Sequence, residues 1–132
     1  MTDGGANLRL ALVVDDSMLI RHTVSRFLEG RGFRVLSAVN GADGFLIALE
    51  QNPSLIVTDL DMPGMGGKEL IAALRADPRT KATPIIIVAG RRSASGLGLE
   101  ELVRFVIYKD IDLESQLSSA IDSIFGREQQ PS

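Results

Sequence analysis

The sequence predicts an α/β domain, a five-stranded parallel sheet covered by helices on both faces. Three observations predict it. Short apolar runs with no polar alternation recur along the chain, helix-patterned segments lie between them, and prolines mark the passages from helix to strand. Unbroken Val/Ile/Leu runs suit strands buried on both sides of a parallel sheet. Repetition of strand and helix five times over then calls for crossover helices on the two faces.

The first strand is LALVV at 10–14. A helix follows over 17–29, where Ile20, Val24, Phe27 and Leu28 share one face and Ser17 is placed as N-cap. RVLSAV at 34–39 is the second strand, and Ala42, Phe45, Leu46 and Leu49 mark the apolar face of the second helix. LIVT at 55–58 is the third strand, followed by a helix patterned on Leu70, Ala73 and Leu74. IIIV at 85–88 is the fourth. The next segment, AGRRSASGLGLEELVR, contains Gly90, Gly96 and Gly98 and has helical character only over 97–103, so a fourth helix there is expected to be short or mobile. FVIY at 105–108 is a weaker fifth strand. The last helix is patterned on Leu113, Leu117, Ala120, Ile121 and Ile124, with Asp112 as N-cap and Gly126 as stop. Pro53, Pro78 and Pro84 punctuate helix-to-strand connections, where a missing amide donor does no harm.

The 132 residues suffice for one domain with one sizeable core, made mainly of aliphatic side chains because Trp is absent and Tyr occurs once. A net charge of −3 offers no basic face for nucleic acid. Without cysteine there are no disulfides or thiolate metal sites, and a cytoplasmic setting fits. MTDGGANLRL lacks the basic n-region and apolar core of a signal peptide, and no apolar stretch approaches the roughly 18 residues that span a bilayer. The expected unit covers residues 8–126, with flexible tails at 1–7 and 127–132.

Ligands of open α/β sheets bind beyond the C-terminal ends of the strands. Here the first strand ends at Asp15 and Asp16, the third at Asp59, and the fifth at Lys109. Any one of these alone reads as a turn, cap or surface residue. Parallel strands bring them all to one edge, where clustered carboxylates repel one another and call for a cation. Oxygen ligands with no His or Cys nearby favour Mg²⁺ or Mn²⁺, which leave positions open for phosphate. Carboxylates, a hard metal and a lysine around an Asp are the parts needed to move a phosphoryl group onto it.

These residues resemble the receiver domain of two-component response regulators. LALVVDDSMLIR is similar to the family's first strand and acidic pair, LIVTDLDMPGMGG to its phosphoacceptor strand and loop, and KATPIIIV to its fourth strand; Lys109 falls at the family's lysine. The resemblance implies a flavodoxin-like (βα)₅ sheet in order 2-1-3-4-5. It implies that Asp59 accepts a phosphoryl group from a histidine kinase or phosphotransfer protein, with Lys109 on the phosphate. It also implies Mg²⁺ held by Asp15, Asp16, Asp59 and the main-chain carbonyl of Asp61. Such a chain catalyses its own phosphorylation and dephosphorylation and turns over no external substrate. It signals through a partner output protein, as a monomer or weak dimer.

Three positions depart from the family pattern. The Thr or Ser that ends strand four is Ala89, the aromatic three residues before the lysine is Val106, and the proline after it is Asp110. A hydrogen bond to a charged phosphate contributes about 1.5–3 kcal/mol. Losing that hydroxyl is expected to weaken the coupling of phosphorylation to shape rather than to abolish transfer. Arg91 and Arg92 follow and could reach the phosphate, although two solvated loop arginines are the simpler reading. His22 has no metal-ligand neighbour at i±4 and reads as a helix-surface residue, and GMGGKEL lacks P-loop spacing.

Two other functions compete with phosphoacceptance. One is a binding module that recognises its partner regardless of phosphate, which Ala89 and Val106 favour. The other is a phosphatase of the haloacid-dehalogenase type, which the Asp-x-Asp of DLDMPG resembles. That family carries its motif on the first strand of a longer chain.

Overall fold

The computed structural model describes residues 9–62, 64–90 and 101–126. In chain order its elements are β1 (Arg9–Val14), α1 (Met18–Gly30), β2 (Phe33–Ala38), α2 (Gly41–Gln51), β3 (Leu55–Asp59), α3 (Gly67–Ala76), β4 (Ile85–Ala89), β5 (Phe105–Tyr108) and α4 (Leu113–Phe125). All strand pairs are parallel, in the order β2-β1-β3-β4-β5. The expected fourth helix, Arg91 and Arg92 and both tails fall largely or wholly outside the described residues.

Alternation along each strand divides the core in two. Leu12, Val14, Ile56, Ile85, Ile87 and Ala89 face one side, where Leu70, Ile71 and Leu74 of α3 cover them. Ala11, Val13, Leu55, Val57, Ile86 and Val88 face the other, packed by Val24 and Leu28 of α1 and by Leu117 and Ile121 of α4. Strands with both faces covered explain why β1, β3 and β4 read as continuous apolar runs.

The caps are as the sequence predicts. The Ser17 side chain accepts from the Ile20 amide at 3.3 Å, and the Asp112 carboxylate accepts from the Ser115 amide at 3.2 Å. The far end of α4 is tied to the end of α1 by Arg31, whose guanidinium meets Asp122 at 2.6 Å.

The face expected for α2 is corrected in part: Phe45 packs against the core as expected. Ala42 and Leu46 are exposed, and the buried line is Gly41, Gly44 and Ala48. The reason is distance. A Cβ on Gly44 would lie 2.8 Å from a methyl of Val14, so α2 approaches β1 through the absence of side chains rather than through large ones. In α3 the apolar face also includes Ile71, fully buried beside Leu70 and Leu74.

Candidate functional site

The order of the strands builds the site. β1 and β3 are neighbours, with Val14 registered against Thr58, so the residues that follow them emerge side by side. β4 lies next, with Asp59 against Val88, and β5 beyond it. Asp15, Asp16, Asp59 and Lys109 therefore share the C-terminal edge of the sheet.

Oxygens of Asp15, Asp16 and Asp59 all lie within 4.8 Å of one another. Asp15 and Asp59 are buried, whereas Asp16 is exposed. Lys109 crosses the end of β4 to place its Nζ 3.0 Å from Asp59 Oδ1. Its own backbone is pinned to β4, since the Lys109 amide donates to the Ala89 carbonyl at 3.0 Å. The Asp61 side chain is exposed and stands outside this cluster; its amide donates to Asp59 Oδ1 at 3.4 Å.

Burial pushes the Asp15 carboxyl up from its ordinary range to about 6. The Ser17 amide, 2.8 Å from Asp15 Oδ1, and the Lys109 charge oppose that rise, and the negative charges of Asp59 and Asp16 add to it. The excess of negative charge and the all-oxygen donor set fit one hard divalent cation. Asp15, Asp16 and Asp59, each offering a carboxylate oxygen to the same small space, would hold such an ion together.

Sequence reasoning missed four hydrogen bonds that support this site. Arg21 donates from Nη1 to the Asp15 carbonyl at 2.8 Å, bracing the acidic loop from one turn inside α1. Its place four residues after the cap Ser17 was the available signal. The Gly41 amide donates to the Met65 carbonyl at 3.2 Å, and the Gly67 amide to the Leu60 carbonyl at 3.0 Å, so two helix starts grip the loop that follows Asp59. Glu69 adds a reach-back bond, accepting from the Gly66 amide at 3.1 Å; Gly66 has no side chain with which to return it.

The remaining predicted positions fall as follows. Ala89 is fully buried at the end of β4 and faces the same core as Val106. Phe105 packs on the opposite side of the sheet, as alternation predicts. His22 is exposed and stands apart from the carboxylates, lining a groove of about 280 Å³ with Met18, Arg21, Ser25 and Glu29. No helix among the described residues is long and apolar enough to cross a membrane.

Comparison with known proteins agrees with this geometry. Residues 11–121 match the family described as the response regulator receiver domain. Protein PilH of Pseudomonas aeruginosa is 33% identical over 110 residues, which cover 82% of this chain and 91% of that protein. The probable chemotaxis protein CheY of Rhizobium etli is 32% identical over 122 residues, 87% of this chain and 91% of its own length. Among solved structures, the chemotaxis response regulator CheY4 of Vibrio cholerae superposes with a TM-score of 0.76 at 25% identity, covering 89% of this chain and 99% of that one. With its strand order, its clustered carboxylates and a match spanning most of its length, the chain belongs to the receiver domains of two-component response regulators.

Proposed function

We propose that this receiver, spanning residues 8–126, takes a phosphoryl group onto Asp59 from the phosphohistidine of a kinase or phosphotransfer protein. It then signals through a protein partner. The observation that carries the reading is the 3.0 Å contact of Lys109 with Asp59, a buried residue that is itself a member of the acidic cluster. In the reaction an Asp59 carboxylate oxygen bonds to phosphorus while the phosphorus–nitrogen bond to the histidine breaks. The bonding pair stays on the imidazole nitrogen. Lys109 then pairs with an oxygen of the transferred group. Asp15, Asp16 and Asp59, with the Asp61 carbonyl, would hold Mg²⁺ (or Mn²⁺), which when bound supplies positive charge against the phosphoryl oxygens.

Asp15 gives this reading a pH dependence. Its carboxyl binds a proton more tightly in the fold than in the open chain, so the metal-free fold loses stability as pH rises through about 6. The same proton competes with the cation. Mg²⁺ affinity measured by calorimetry is expected to fall roughly tenfold from about pH 7 to about pH 5, and Asp15→Asn is expected to remove that dependence. An affinity flat across this range would contradict the assignment of Asp15.

Acetyl phosphate with Mg²⁺ is expected to add one phosphoryl group to the chain by intact mass, and Asp59→Asn to prevent it. No addition, even with a cognate phosphohistidine donor, would favour the second reading, a phosphate-independent binding module. That reading draws on Ala89, fully buried and without a hydroxyl for phosphate. Turnover of a phosphate ester would instead favour a phosphatase.

A further inference from the structure

The turn that carries Lys109 reads KDID at 109–112, with no proline to fix a φ and no glycine to select a turn type. A lysine side chain has four rotatable bonds of its own, so its reach to Asp59 requires a fixed backbone. One side of that backbone is held by the Lys109 amide on the Ala89 carbonyl. The other side faces away from β4, because β5 is the edge strand of the sheet.

Gln116, in the first turn of α4, occupies that outer side. Its Oε1 accepts from the Tyr108 amide at 3.0 Å, and its Nε2 donates to the Tyr108 carbonyl at 2.9 Å. The same Nε2 lies 3.2 Å from the Ile111 carbonyl and 3.3 Å from that of Asp112. With two hydrogens for three acceptors, the two longer contacts share one. A single carboxamide thus pairs with Tyr108 as a neighbouring strand would, and also holds the far side of the turn. Lys109 leaves the chain between these two grips.

We propose that Gln116 is a positioning residue for Lys109: its carboxamide fixes the backbone on both sides of the lysine and so sets where the ammonium meets Asp59. The effect on phosphoryl transfer rests on the receiver reading above; the effect on Lys109 does not. The opposite end of α4 is anchored independently by Arg31 and Asp122, so loss of the clamp leaves the helix docked.

Two variants test it. Gln116→Leu keeps the volume and removes every bond, and Gln116→Glu keeps the acceptor for the Tyr108 amide but loses the donors. In Gln116→Leu, hydrogen exchange of the Tyr108 amide is expected to accelerate and the Lys109 side-chain methylene signals to shift. The maximal rate of phosphorylation by acetyl phosphate with Mg²⁺ is expected to fall about tenfold, with little change in the half-saturating concentration. Gln116→Glu is expected to fall between, with the Tyr108 amide still protected. In a Lys109→Ala background the Gln116→Leu change is expected to have no further effect on rate.

Equal slowing in both backgrounds would overturn the proposal, since it would mark a structural role only. So would an unchanged Tyr108 exchange rate or unmoved Lys109 signals. A wild-type chain that takes no phosphoryl group would defeat the receiver reading, and the positioning claim would then be decided by the Lys109 signals alone.

Discussion

Gly67→Ala is expected to destabilise the fold by about 2 kcal/mol and to slow phosphorylation of Asp59. Two effects oppose each other at this first residue of α3. Alanine is favoured over glycine in a helix by about 1 kcal/mol. A Cβ at position 67, however, would lie 2.8 Å from the Leu60 Cα and closer still to the Asp59 carbonyl oxygen. Both are backbone atoms of the phosphoacceptor strand and its exit, so no side chain can swing away. Overpacking of this kind costs about 3 kcal/mol, and the clash wins. Thermal unfolding should show a midpoint roughly 6–10 °C lower. Gly30→Ala, at the open end of α1 with nothing within 4 Å of the new methyl, should leave stability unchanged or slightly raised. Equal stability of Gly67→Ala and wild type would mean that α3 does not need its close approach to Asp59.

Lys109→Ala is expected to slow phosphorylation by acetyl phosphate by about 10²–10³-fold, the usual cost of removing one preorganised charge from a transferring group. The ammonium sits 3.0 Å from Asp59, and it also opposes the negative charge felt by Asp15. Its removal leaves the carboxylates with less compensation, so Mg²⁺ should bind more tightly in the variant. That opposite movement separates loss of a phosphate contact from collapse of the site. Slower transfer together with weaker Mg²⁺ binding would point to a distorted pocket instead.

The strands and three of the carboxylates were legible because their signals are local. An unbroken apolar run followed by an acidic residue names both a buried strand and the end at which it leaves the sheet, as in LIVTD. Parallel topology then does the rest, carrying Asp15, Asp16, Asp59 and Lys109 to one edge. The apolar face of α2 was legible only in part: Phe45 packs on the core, but a periodic reading seeks large side chains, and the close contacts are made by Gly44 against Val14 and Gly41 against Met65. Glycines 41 and 67 carry no chemistry of their own, and their value lies in the neighbours they admit. Gln116 was invisible for a related reason. A polar residue in the first turn of a helix reads as solvated surface, and only the fold brings its amide against Tyr108. Of the two acids in DLD, only Asp59 joins the carboxylate cluster; the Asp61 side chain is exposed and stands outside it, and the family resemblance asks of Asp61 only its main-chain carbonyl.

The central claim is that Asp59, rather than Asp15, Asp16 or Asp61, is the residue that accepts phosphate. An acyl phosphate is reduced by borohydride to an alcohol, whereas a free carboxylate and a phosphate ester are not. Treatment with acetyl phosphate and Mg²⁺, then borohydride, then peptide mass spectrometry is the most direct test. The expected product is a peptide in which residue 59 alone is converted to homoserine. Conversion at residue 15, 16 or 61, or a phosphorylated chain with none, would contradict it.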